Sequence, residues 1–123
     1  MNSNKFSLKS RFESFKFAFR GLRSLLKNEH NSRIHFIAAI AAIIAGIILK
    51  INMLEWSLLI LVIGFVFLTE LLNSSLETLA DFVDPEWNES IRKAKDYAAA
   101  AVLISATISV VVGALIFVPK IFK

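Results

Sequence analysis

The sequence predicts an all-α membrane protein with three transmembrane helices preceded by an N-terminal amphipathic surface helix. Three observations carry that prediction. Hydrophobic residues fill 56% of 123 positions and the mean hydropathy is strongly positive, more apolar surface than a soluble domain of this length can bury. The apolar residues fall into three blocks, Ile34 to Leu49, Met53 to Leu72 and Ala98 to Val118. Charge gathers before the first block and between the last two.

The first element is the surface helix, over about residues 8–27. Phe12, Phe15, Phe19, Leu22 and Leu26 recur at steps of three and four, so they line one helix face. Arg11, Lys16, Arg20, Arg23 and Lys27 fall largely elsewhere, and Phe17 stands off the stripe. Such a helix lies on a bilayer, its cations meeting anionic head groups at roughly 1 kcal/mol each. Because these cations alternate with aromatics on a segment leading into a span, the basic pI near 9.6 is assigned to the membrane surface and no nucleic-acid partner is expected.

The three spans follow. A hydrocarbon core of about 30 Å needs about 20 helical residues. The first span, about 33–51, is the shortest block and reaches that length with His35 and Lys50 at the two interfaces, where Lys can snorkel. The second, about 54–72, is interrupted only near its ends, by Glu55 and Glu70. The third, about 97–118, carries no charge from Ala98 to Val118, and Ser105, Thr107 and Ser109 can bond back to helix carbonyls. Together these elements make a single membrane-embedded domain over 1–123. The first thirty residues lack the apolar core and small-residue cleavage site of a secretory leader, so the N-terminal segment is expected to be kept. With no cysteine, thiol chemistry and thiolate metal sites are excluded.

Lys5, Lys9, Arg11, Lys16, Arg20, Arg23, Lys27 and Arg33 precede the first span, against Glu13 and Glu29. The positive-inside rule then assigns the N-terminus to the cytoplasm, the connection from Glu70 to Tyr97 to the same side, and the C-terminus to the outside. Lys120 and Lys123 weigh weakly the other way.

That connection holds the candidate chemistry. Glu70, Asn73, Glu77, Asp81 and Asp84 repeat every three or four residues, with Leu72, Leu76, Leu79 and Val83 on another face. Stacked like charges repel, so the ridge calls for a cationic partner. Two are available: a divalent metal, or Arg92, Lys93 and Lys95 beyond Pro85. Oxygen-only ligands suit a hard ion such as Mg²⁺, held by one or two carboxylates and by phosphate oxygens. Phosphoryl transfer uses that equipment, together with a carboxylate near the attacking hydroxyl. Glu70 is the deepest acid, at the end of an apolar span where a lipid hydroxyl lies. The same pattern also fits a solvated amphipathic extension of the span. Asn28-Glu29-His30-Asn31-Ser32-Arg33 is a second polar group at the same surface, in which Glu29 alone reads as a helix-end residue and His30 and His35 as interfacial. The glycines Gly21, Gly46, Gly64 and Gly113 are scattered, which excludes a phosphate loop or a kinase Gly-rich loop.

At these residues the sequence resembles the small integral-membrane lipid kinases of bacteria, the prokaryotic diacylglycerol kinase and undecaprenol kinase family. The resemblance runs through Arg20-Gly21-Leu22-Arg23, Asn28-Glu29 with Arg33, Glu70-Leu71-Leu72-Asn73-Ser74-Ser75-Leu76-Glu77 with Asp84, and Ala94-Lys95-Asp96. It implies a kinase transferring the γ-phosphate of MgATP to diacylglycerol, giving phosphatidic acid, with undecaprenol as the alternative acceptor. It implies a homotrimer with shared active sites in the bacterial inner membrane, taking ATP from the cytoplasm and lipid from the bilayer. Glu29 and Glu77 match the family's metal-holding glutamates, and Glu70 matches its base for the lipid hydroxyl. Asn73, Lys95 and Asp96 match residues that bind phosphates or order the site, and Arg11 falls where an N-terminal arginine lies near the nucleotide. Arg33-Ile34-His35 looks more like the undecaprenol branch, and Ala98-Ala99 stand where a Gly-Ser pair can occur. The remaining competitors are a noncatalytic scaffold docking a basic partner on the acidic face, and an ion carrier, which acids at a span end rather than at midplane disfavour.

Overall fold

A computed structural model of the chain describes residues 6–122. Lys5 and Lys123, counted above among the charges bearing on orientation, lie outside the described residues. Four helices and, among those residues, no strand make up the fold: α1 (Leu8–Asn28), α2 (His30–Ile48), α3 (Met53–Val83) and α4 (Glu89–Ile121). The last three are each long and apolar enough to cross a membrane, as the hydropathy blocks predict.

Ser7 caps α1 by accepting from the Ser10 N–H at 3.4 Å. Its aromatic stripe finds no protein partner: Phe12, Phe15 and Phe19 are 74%, 65% and 67% exposed, as a membrane-lying face requires. Leu25 is the buried residue of α1. A single extended residue, Glu29 (φ −103, ψ 111), turns the chain from α1 into α2.

The turn from α2 to α3 closes with two backward bonds, Ile51 N–H to the Gly46 carbonyl (3.1 Å) and Lys50 N–H to the Ile47 carbonyl (3.3 Å). That pairing requires the left-handed conformation at Lys50 (φ 53). It also folds Ile51 onto Gly46 and into a buried cluster with Leu59 and Ile116. Gly46 is needed for this approach, since a Cβ there would stand 2.8 Å from the Trp56 ring. Asn52 and Glu55 then form a capping box, Asn52 Oδ1 accepting from Glu55 N–H (2.8 Å) and Glu55 Oε1 from Asn52 N–H (3.0 Å). The same Glu55 oxygen meets Lys120 Nζ at 3.0 Å, joining the start of α3 to the end of α4.

α3 and α4 run past their apolar blocks for 31 and 33 residues, so helical backbone continues beyond the hydrocarbon. Within it, the hydroxyls of Thr69 and Ser105 lie 2.7 Å apart across the pair. Phe36 meets Phe67 edge to face at 6.5 Å between α2 and α3. α3 stops at Val83 because Pro85 pushes Asp84 out of helical conformation (φ −151, ψ 101). Asn88 restarts the helix by accepting from the N–H groups of Ser90 (2.9 Å) and Ile91 (3.3 Å).

Candidate functional site

The acidic ridge begins inside the protein. Glu70 is 4% exposed, deeper than any other acid on α3. A buried carboxylate needs partners, and α2 supplies them. Ser32 Oγ donates to Glu70 Oε2 at 3.4 Å. His35 Nε2 comes within 3.3 Å of Oε1, but the ring is not aligned to bond it, and Oε1 is left buried without a hydrogen bond. One turn further along α3, Asn73 Oδ1 is likewise buried and unpartnered. Two buried acceptor oxygens therefore wait on one face for a donor or a cation.

His35 also borders an apolar groove of about 390 Å³ between α2, α3 and α4. Small residues on α2, among them Ala38 and Ala42, keep it open against Val62 and Val66 of α3. Hydrocarbon can therefore approach the polar group from the membrane side.

Beyond Asn73 the ridge becomes accessible, with Glu77 half-buried and Asp81 exposed. The expected counter-ions follow the Pro85 turn, and one of them closes on the ridge. Lys95 Nζ donates to Asp81 Oδ1 at 2.6 Å. That bond, and then the negative charge of Asp81 and Glu77, push the Lys95 ammonium above the usual lysine value against a smaller opposing effect of burial. Lys95 thus stands charged within electrostatic reach of Glu77. Arg92 takes another course: it forks between Glu89 and Asp96, meeting Asp96 Oδ2 at 2.6 Å, so Asp96 is held on the surface of α4.

Glu29 stands apart from the ridge. It borders a groove of about 670 Å³ between α1 and α3 with Ser74, Ser75 and Thr78, a groove that Glu77 does not line. Its carboxylate makes no capping bond at the start of α2 and is free to take a ligand. Arg11 is further away in α1, its guanidinium 5.9 Å from the centre of the Phe6 ring. Among the described residues no three His, Asp or Glu side chains converge on one metal-sized point.

One chain therefore brings together Glu70, Asn73, Glu77 and Lys95 along one seam, and leaves Glu29 and Arg11 outside it. The donors on offer are carboxylate and amide oxygens, two of them buried and unpartnered, a set that fits a hard cation such as Mg²⁺. Ser32 and His35 escaped the sequence reading, which took His35 as interfacial. Their spacing of three residues put both on one helix face, but nothing in the sequence says that this face meets Glu70.

Comparison with known proteins gives the chain a family. The family model described as prokaryotic diacylglycerol kinase matches residues 16–117. The chain is 38% identical to the undecaprenol kinase of Bacillus subtilis over 110 residues, covering 89% of each chain. It is 34% identical to a diacylglycerol kinase of Synechocystis over 111 residues, which cover 89% of this chain and 63% of that one. Against the diacylglycerol kinase of Escherichia coli the identity is 32% over 95 residues, 77% of this chain and 78% of the relative.

Proposed function

The chain belongs to the prokaryotic diacylglycerol kinase family and is a membrane lipid kinase, and on that premise we propose that Glu70 is the base through which it phosphorylates the hydroxyl of a lipid alcohol. The observation that carries this reading is the buried Glu70 Oε1, an acceptor with no hydrogen bond, 3.3 Å from His35, which lines a groove open to hydrocarbon. A lipid hydroxyl supplies the missing donor. Its proton passes to Oε1 as the alcohol oxygen bonds to the γ-phosphorus of ATP, and ADP leaves with the electrons of the broken P–O bond.

Glu29 and Glu77 would hold Mg²⁺, which when bound would supply positive charge to hold the phosphates and to offset what develops during transfer. Lys95, kept protonated beside Asp81, adds a fixed positive charge for the phosphates. Asn73, with its carbonyl oxygen unpartnered, orders the groups between Glu70 and Glu77, and Asp96 braces this end of α4 through Arg92. Arg11 serves the nucleotide from α1. In one chain Glu29 lines a groove that does not include Glu77, which favours a site completed between chains, in keeping with a homotrimer. The excess of cations on α1 and in the first turn of α2 supports a cytoplasmic N-terminus and active site, with the C-terminus outside, in the bacterial inner membrane.

Diacylglycerol, giving phosphatidic acid, and undecaprenol, giving undecaprenyl phosphate, both present a primary hydroxyl on a long apolar body. The higher identity and fuller two-way coverage of the undecaprenol kinase favour undecaprenol. The test is transfer from γ-labelled ATP by the purified protein in mixed micelles holding one lipid or the other. Labelled lipid phosphate identifies the acceptor, and full activity of Glu70→Gln with both lipids would remove Glu70 as base. Protein that neither binds nor hydrolyses ATP with either lipid present would point instead to a scaffold.

A further inference from the structure

The two oxygens of Glu70 meet different surroundings. Oε2 accepts from Ser32 Oγ at 3.4 Å, while Oε1 lies 3.3 Å from His35 Nε2 with no aligned hydrogen bond. Ser32 is 0% exposed, so its hydroxyl has no contact with water. The His35 side chain is 26% exposed and borders the apolar groove between α2, α3 and α4. Both residues project from one face of α2, and α2 is otherwise an apolar helix from Ile34 onward.

Resting on the reading of Glu70 as the base, we propose that Ser32 and His35 are positioning residues that present Glu70 Oε1 to the acceptor hydroxyl. A carboxylate on a flexible side chain has two equivalent oxygens and can turn either toward a donor. The Ser32 bond occupies Oε2 and makes the pair inequivalent. His35 lines the groove and stands 3.3 Å from Oε1, so a hydroxyl on an apolar body lying there would approach that oxygen past the imidazole. Neither side chain forms or breaks a bond in the transfer. Each acts by fixing which oxygen receives the proton, and a base held in one orientation works faster than one that samples several.

The experiment uses the full-length protein in mixed micelles with undecaprenol or diacylglycerol. It compares Ser32→Ala, His35→Leu and the conservative Ser32→Thr and His35→Gln, each alone and combined with Glu70→Gln. Ser32→Ala and His35→Leu are expected to lower kcat about 10- to 100-fold, the range for removing a partner that orients a working group, with KM for MgATP unchanged. Ser32→Thr and His35→Gln, which keep a donor, recover part of the loss. With Glu70→Gln already present, none of the four lowers kcat further. Undiminished kcat in both Ser32→Ala and His35→Leu overturns the proposal, as does a loss that multiplies in full with that of Glu70→Gln. Full kcat in Glu70→Gln alone overturns the base assignment instead. If His35→Leu does not fold, Ser32→Ala and His35→Gln carry the same comparison.

Discussion

Lys95 of α4 donates to Asp81 of α3 at 2.6 Å, and this ion pair ties the two helices together beyond the membrane, next to the seam that holds Glu77. The pairing raises the Lys95 pKa, chiefly through the hydrogen bond that Lys95 donates to Asp81. For a raised lysine the stabilising contribution is fully present below the ordinary value of about 10.4 and is lost as pH climbs through the raised one. Asp81→Asn is therefore expected to bring the Lys95 titration down toward the ordinary lysine range, read by NMR of the lysine side chain, and to leave the helices intact. Lys95→Met, which removes the charge itself, is expected to lower kcat by about 100-fold or more in the lipid phosphorylation assay.

Glu29→Gln and Glu77→Gln test the metal assignment. Each keeps the side-chain volume and removes one negative charge, so the protein is expected to stay folded and to keep the wild-type oligomeric state by light scattering. The Mg²⁺ concentration giving half-maximal phosphorylation should rise about 10- to 100-fold. Wild-type Mg²⁺ dependence in both variants would sink the assignment.

Gly46→Ala adds a methyl group 2.8 Å from the Trp56 ring and 3.0 Å from Ile51 Cδ1. The ring cannot give way without disturbing the Ile51, Leu59 and Ile116 cluster, so a loss of about 1–3 kcal/mol is expected. Thermal unfolding in detergent measures it. Gly64→Ala, where an added Cβ meets nothing within 4 Å, is the control and should unfold near the wild-type temperature.

Lys50→Gly should act the other way. Lys50 holds a left-handed conformation at φ 53, costing a side-chain-bearing residue about 1–2 kcal/mol. Glycine removes that strain but is freer in the unfolded chain, leaving an expected net gain of about 0.5–1 kcal/mol in the same unfolding measurement.

The helices were legible because lipid leaves little choice: each apolar block had to become a helix. The ridge was legible for the same reason, since helical spacing alone stacks Glu70, Asn73, Glu77 and Asp81. Contacts between helices were not. Whether Ser32 and His35 meet Glu70 depends on how α2 is rotated against α3, which is set by packing at residues such as Phe36 and Phe67 that carry no chemistry. The Lys95 partner was narrowed to the ridge but not to Asp81. The resemblance joins Glu29 to Glu77 in one site, yet in one chain Glu29 borders a groove that Glu77 does not line, because a motif records spacing and not which side of a helix a loop returns to.

The length of α3 has a consequence of its own. At 31 residues it extends about 46 Å, against a hydrocarbon core of about 30 Å, with its lower turns pinned by the Asn52 cap and the Glu55 bridge to Lys120. It works as a rod of fixed length, setting the height of Glu70 from one face of the bilayer while lipid hydroxyls take their height from the other. With Glu70 as the proposed base, a membrane thicker or thinner by a few ångströms is expected to shift it against its substrate, which would make the bilayer itself a component of the active-site geometry.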